Sequence, residues 1–221
     1  MITLKYSKEN QAIFVSHIDL LKQFIRIINR ADISIEYSQG FHPHMQMYLA
    51  TPLTVGVSSN CEYVTLYTSE DTVIDRLNKA SIGGLVFTKE YVTKLNPKLA
   101  ASITRARYII PCNLDEDSVK KVYDFFNQDS IKLEVNRKGE TVETEVKPNI
   151  FEYKVSNNEI NVVLACGNPN LRVDYLIKKI KSEVGLNIRI NSSKKIEKYI
   201  GGNGEKVEDY LERIKEWKNY L

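Results

Sequence analysis

"SHIDLLKQFIRIINRA", Ser16 to Ala31, is the stretch on which the reading of the fold turns. Leu21, Phe24, Ile25 and Ile28 recur at helical spacing and form the expected buried face. Lys22, Arg26 and Arg30 fall four apart on another face. Ser16 is a capping residue type. Asp19, three positions later, puts a carboxylate in the first turn, where backbone N–H groups lack intrahelical partners. The segment reads as an amphipathic helix that starts at Ser16.

The flanks supply strands. "LKYSKENQAIFVS" (4–16) reads as a strand hairpin or one bent strand. "ISIEYS" (33–38) and "CEYVTLYTS" (61–69) alternate as strands, and "MQMYLATPLTVGV" (45–57) reads as an extended segment broken at Pro52. "EDTVIDRLNKAS" (70–81) is a short helix with Val73, Ile74 and Leu77 inward, and "GLVFTKEYVTKL" (84–95) is a closing strand. Strand, helix, strands, helix and strand make the split βαβ, ferredoxin-like order over 1–95.

"NPKLAAS" (96–102) reads as a linker, after which the order repeats over 103–200. "TRARYIIPC" is a strand. "DEDSVKKVYDFFN" is a helix with Val119, Val122, Tyr123 and Phe126 inward. "IKLEVNRKGETVETEV" is a hairpin turning at Lys138-Gly139, and "FEYKVSNNEINVVLAC" another turning at Asn157-Asn158. "NLRVDYLIKKIKSEVG" is a helix ending at Gly185, and "LNIRINSSKKIEKY" is the last strand. Residues 204–221 read as an amphipathic terminal helix with the stripe Val207, Tyr210, Leu211, Ile214, Trp217 and Leu221. That stripe is expected to dock on its own protein; the alternative is a partner-binding helix anchored by Trp217. The expectation is an α+β protein of two ferredoxin-like halves with antiparallel sheets, plus this helix.

Composition bounds the function. With 43 % hydrophobic and 27 % charged residues among 221, the chain has material for a sizeable core and an ordinary polar surface. It shows no apolar run of the roughly 18 residues a membrane span needs, and no apolar leader at its start, so a cytoplasmic protein away from membranes is expected. Cys61, Cys112 and Cys166 are scattered and odd in number, which fits reduced thiols and offers no Cys-rich cluster motif. No Gly-rich phosphate loop, catalytic triad motif or HExxH is present. The net charge of +3 is too small to imply nucleic acid by itself. The basic segments 94–114 and 172–198 read either as phosphate-contacting patches or as solvated faces.

All three histidines fall in one 28-residue window, His17 to His44. Three imidazoles suffice for a metal site with an open position, and His42 and His44, two apart, point the same way if extended. Histidine also serves as a general acid or base, with Asp19 placed to orient His17 or His44 near Ser16 or Tyr37. A third reading is recognition: Gly40 permits a tight loop, Phe41 and the imidazoles offer stacking faces, and Lys22, Arg26 and Arg30 offer phosphate contacts. A fourth is a rigid turn with no ligand. Glu62 reads as an exposed strand residue, with pairing to one of the basic residues as the alternative, and Cys61 as a small half-buried thiol rather than a fourth ligand.

The residues Phe14, Ser16, His17, Asp19 and Leu20, then Arg30 and Ala31, then Tyr37, Ser38, Gly40, Phe41, His42, Pro43 and His44, then Pro52, Leu53 and Gly56, then Glu62 and Tyr63, form an ordered pattern. It resembles the radical SAM-linked protein family, domain of unknown function 2344, strongly over 1–95. Ile27 stands where the family has an arginine, Met45 where it has a proline, and position 42 is often asparagine there. The resemblance implies association with a cobalamin-binding radical SAM enzyme in an RNA- or ribosome-related setting. The chain itself lacks the CxxxCxxC ligands of such an enzyme, and no cofactor is expected of it. The expected role is a non-catalytic accessory module that presents RNA or a protein partner, with binding residues His17, Asp19, Arg26, Arg30, Ser38, Gly40, Phe41 and His44. The alternative is a metal-dependent or RNase-like enzyme using His17, His42 and His44.

Overall fold

The structure is a computed structural model that describes residues 1–137 and 139–216. In chain order the elements are β1 (Ile2–Lys8), α1 (His17–Arg30), β2 (Met47–Leu49), β3 (Ser58–Leu66), α2 (Ile74–Ala80), β4 (Leu85–Val92), α3 (Leu99–Ser102), β5 (Ile103–Pro111), α4 (Glu116–Asn127), β6 (Lys132–Arg137), β7 (Glu140–Glu145), β8 (Ile150–Val155), β9 (Glu159–Ala165), α5 (Val173–Val184), β10 (Lys194–Ile200), β11 (Glu205–Lys206) and α6 (Val207–Glu216). The expected turn residue Lys138, and Trp217 and Leu221 of the terminal stripe, lie outside the described residues.

The strands form one large sheet in the order β4-β1-β3-β10-β5-β9-β8, with β2 on β3 and β11 on β10; β6 and β7 form a separate hairpin. Two separate antiparallel sheets were expected. Instead a short parallel seam, Ser58 opposite Lys194 and Ser59 opposite Lys195, joins β3 to β10 and makes the sheet mixed. The other pairs are antiparallel. Ser58 reinforces the seam by donating both its backbone N–H (3.1 Å) and its hydroxyl (3.2 Å) to the Ser193 carbonyl.

α1 begins as its sequence predicts: Ser16 is the cap, and its Oγ accepts the Asp19 N–H at 3.2 Å. The buried face differs. Leu20, Phe24, Ile27 and Ile28 are inside, while Ile25 is exposed and Leu21 only half-buried. Both stripes have helical spacing and share Phe24 and Ile28; packing on the sheet buries Leu20 and Ile27 beside Phe24, which meets the rings of Tyr6 (centroids 5.1 Å) and Phe87 (5.7 Å). Each such buried side chain contributes on the order of 1.5–3 kcal/mol. In α4 the fully buried set is Val122, Phe125 and Phe126, with Val119 and Tyr123 packed partly against it.

Two further expectations give way. Residues 33–38 form no strand; only Tyr37 makes an isolated bridge, to Met45. Their backbone groups go elsewhere: the Ser34 N–H to the Glu70 carboxylate at 2.6 Å, the Ser34 carbonyl to the Thr68 hydroxyl, and the Glu36 N–H to the Tyr67 carbonyl. The linker 96–102 contains the short helix α3, whose Leu99 is buried.

α6 covers the sheet beside β4 and β10. Val207 and Leu211 are fully buried in the core shared with Tyr63 and Tyr91, and Tyr210 and Ile214 pack partly against it. Lys5 pairs with Glu208, and Lys89 with Glu212 at 2.7 Å. The described part of the terminal stripe therefore docks on its own protein. No described helix is long and apolar enough to cross a membrane.

Candidate functional site

The segment after α1 projects a clasped loop. The Ser38 N–H donates to the His44 carbonyl at 2.9 Å, and the His44 N–H donates to Ser38 Oγ at 3.1 Å. Ser38 Oγ also meets His44 Nδ1 at 2.8 Å. When Ser38 donates to Nδ1, the ring carries its proton on Nε2 and turns a donor outward. Gln46 braces the base, donating its N–H to the Glu36 carbonyl and its Nε2 to the Tyr37 carbonyl. Between the clasp residues, Gly40 has φ +126°, a region an L side chain rarely adopts. Phe41 at the tip is fully exposed, and His42, Pro43 and His44 are exposed with it. The seven-residue loop Ser38–His44 thus fixes its own neck and leaves the Phe41 ring in solvent.

The remaining expected site residues lie elsewhere. His17 is the first residue of α1, is half-buried, and lines a cavity of about 190 Å³ with Pro52–Val55, Tyr108, Asn170 and Arg172. Asp19 does not orient it: Asp19 accepts from the Ser16 hydroxyl at 2.8 Å and pairs with Lys22 at 3.6 Å. The Ser16 bond is the main cause that holds its carboxyl below the usual value. Arg26 is exposed along the helix. Arg30, at the far end, donates to the Ala80 carbonyl at 2.6 and 3.2 Å and so caps the end of α2. It lines an open hollow of about 640 Å³ with Arg76 and Lys79, and Arg76 is paired with Glu70.

The expected single cluster is thus three places. The clasped loop hangs off the Tyr67 end of β3, since Tyr67 bonds Gln46 and Glu36 there. His17 sits at the opposite end, beside the turn that leads into Ser58. The length of α1 alone separates its two ends by about 20 Å. The three imidazoles do not converge, and among the described residues no three His, Cys, Asp or Glu side chains gather as metal ligands.

A feature the sequence reading missed lies at the seam. Glu62 is not an exposed strand residue; it is 2 % exposed, and Lys195 and Lys198 beside it are fully buried. Lys198 Nζ donates to Glu62 Oε2 at 2.6 Å, Ser59 Oγ donates to Oε1 at 2.8 Å, and Lys195 Nζ stands 3.3 Å from Oε1. Burial pushes the Glu62 carboxyl up, but Lys195 and Lys198 outweigh it and leave it below the usual carboxylate range. Lys8, also buried, donates to the Val15 carbonyl at 2.7 Å, just ahead of α1. Burial pushes the Cys61 thiol up to about 12, so it is a neutral interior thiol, buried rather than half-buried. A glutamate inside an otherwise apolar strand and two lysines three apart in the last strand were the available signals.

A family model described as "Uncharacterized protein conserved in bacteria (DUF2344)" matches residues 1–195. The chain belongs to this family. For the DUF2344 chain, the match runs through both the clasped loop and the first residues of the seam strand β10. No curated protein matches it. Among solved structures it is similar to a chain of "Crystal Structure of a Cbf5-Nop10-Gar1 Complex", at 12 % identity and a TM-score of 0.47. That likeness covers 99 % of the DUF2344 chain and 56 % of the other, so the chain spans little more than half of that neighbour's length.

Proposed function

We propose that this DUF2344 protein is a non-catalytic recognition module that presents RNA or a protein partner to a separate, cobalamin-binding radical SAM enzyme in the cytoplasm. The observation that carries the recognition reading is the loop Ser38–His44: its neck is clasped by Ser38 and His44, and its tip is a fully exposed Phe41. An aromatic ring on a pre-shaped loop contributes binding energy with little ordering cost, because the loop is already held in its binding form. The enzyme as partner rests on the sequence resemblance. Arg30 has a smaller part in this reading than the sequence suggests, because it already serves the Ala80 carbonyl, while Arg26 is exposed.

The same reading treats each half as a ferredoxin-like unit. The pairings β4-β1-β3-β2 and β10-β5-β9-β8 both run fourth, first, third, second strand, the order of a split βαβ fold, and this supports it. Residues 1–95 then carry the presenting loop, 103–200 form the second half, and α6 follows as the terminal helix.

The test is a calorimetric titration of the purified full chain into the radical SAM enzyme it accompanies, with and without RNA. The reading expects saturable binding, weakened at least tenfold by Phe41→Ala. A Phe41→Ala protein that binds as tightly as wild type contradicts it.

A further inference from the structure

We infer that the cavity beside His17 is a binding site for the phosphate group of a small ligand. This inference is independent of the loop reading, because it concerns the opposite end of the sheet.

Lys8, Lys195 and Lys198 are buried around one buried carboxylate, Glu62, which leaves three positive charges against one negative, a surplus of +2. Charge buried without a partner is strongly unfavourable, so interior cations are ordinarily matched. Here the match is incomplete. Among the described residues Lys195 Nζ, fully buried, makes no hydrogen bond, and its one ionic neighbour, Glu62 Oε1, already accepts from Ser59. Lys8 is satisfied only by a neutral carbonyl. Burial pulls Lys195 down, but the Glu62 carboxylate outweighs it, so the group stays an ammonium. Lys8, by contrast, is held below the ordinary lysine value, chiefly by burial.

The surplus lies next to open space. Lys8, Ser59, Lys195 and Tyr108 are neighbours in register across four strands, β1, β3, β10 and β5. Lys195 Nζ stands 5.6 Å from the centre of the Tyr108 ring. Tyr108 is 5 % exposed, its hydroxyl has no hydrogen-bond partner among the described residues, and it lines the cavity with His17, Thr54, Asn170 and Arg172. The walls thus offer a phenol, an imidazole, a hydroxyl, an amide and a guanidinium above a buried positive field, which a low-dielectric wall transmits well.

The ligand class follows from size and charge. A cavity of about 190 Å³ holds roughly six waters' volume, enough for the phosphate group and a few more atoms of a ligand whose remainder lies outside it. A phosphate monoester carries about −1.5 to −2 at neutral pH, which matches the surplus, whereas a single carboxylate meets half of it. The starts of α1 and α5 are left out of this account, because Asp19 and Asp174 already occupy their first turns, and Asp174 holds Arg172 at 2.7 and 3.0 Å.

The experiment is thermal melting and ³¹P NMR of the full chain with inorganic phosphate and, separately, adenosine monophosphate, at ionic strength fixed with sodium chloride. The inference expects saturable stabilisation beyond that of chloride. Binding should weaken at least fivefold in Tyr108→Phe and in His17→Ala, and disappear in Lys195→Met. Tighter binding of adenosine monophosphate identifies a phosphate ester as the ligand, and tighter binding of inorganic phosphate the free ion. Should Lys195→Met fail to fold, Tyr108→Phe, which keeps the ring, and His17→Ala carry the test. No saturable phosphate effect in wild type, or unchanged binding in both Tyr108→Phe and His17→Ala, overturns the inference.

Discussion

Lys198 Nζ and Glu62 Oε2 are 2.6 Å apart, although 136 residues separate them in the chain, and both are buried where the two halves of the sheet meet. With Lys195 on the carboxylate's other oxygen, Glu62 ties β3 to β10 across a seam of only two paired residues. The seam is therefore held by side chains as much as by its backbone ladder.

Removing the carboxylate strands two buried ammoniums. Glu62→Ala is expected to lose about 3–5 kcal/mol of unfolding free energy, the usual range for breaking a buried ion pair from one side. Urea unfolding followed by circular dichroism reads this directly. A loss under about 1 kcal/mol contradicts the seam as described.

The pH dependence follows from the same group. The folded carboxyl of Glu62 lies below its unfolded value of about 4.3. Its contribution is present above about pH 4.3 and is lost as pH falls through the folded value. Lys195 has the opposite sign. Raised above its unfolded value of about 10.4, it contributes fully below that pH and loses its contribution as pH rises through the folded value. Stability from this pair is thus level across neutral pH and falls in acid. Melting Glu62→Gln between pH 7 and 3 should show a shallower acid decline than wild type; an equal decline assigns the acid limb to other carboxylates.

The thiols should be nearly silent. Cys61 and Cys166 are buried, the former pushed up to about 12, and Cys112 is half-buried with its thiol also raised by burial. Titration with an aromatic disulfide reagent at pH 8 is expected to find slow reaction at Cys112 alone in the native protein, and all three thiols after denaturation. Fast native labelling of Cys61 contradicts the seam packing.

Two glycines separate folding from recognition. A Cβ at Gly84 would stand 2.2 Å from the Glu9 carbonyl oxygen, at φ +86°, so Gly84→Ala should cost at least about 2 kcal/mol of stability. Gly40 has φ +126° but open space around its Cβ position. Gly40→Ala should leave the melting temperature nearly unchanged while distorting the loop and weakening partner binding. Parallel melting curves and binding isotherms distinguish the two effects.

Much of the local structure was legible in the sequence. The Ser16 cap, the breaks at Gly185 and 201–204, and the hairpin at Asn157-Asn158 rest on short-range chemistry, and each element forms. What the sequence could not rank was rotation: the Leu21–Ile25 and Leu20–Ile27 stripes are equally helical and share Phe24, and only packing on the sheet decides that Leu20 and Ile27 go inside. Alternation also misled at Glu62. It separates inside from outside when one sheet face meets water, but β3 is covered on both faces, by α1 and by α6, so nearly all its residues are buried. Clustering in sequence misled for the histidines, because α1 runs between them and His17 faces the cavity with Tyr108 and Arg172 instead of the loop that bears His42 and His44.

The central claim is that the loop Ser38–His44 is the recognition element. Hydrogen–deuterium exchange of this protein with the radical SAM enzyme proposed as its partner tests it most directly. Protection that appears on binding at residues 38–44, and is lost together with binding in Phe41→Ala, is the expected result. A complex in which exchange of 38–44 is unchanged and protection falls on another surface contradicts the account.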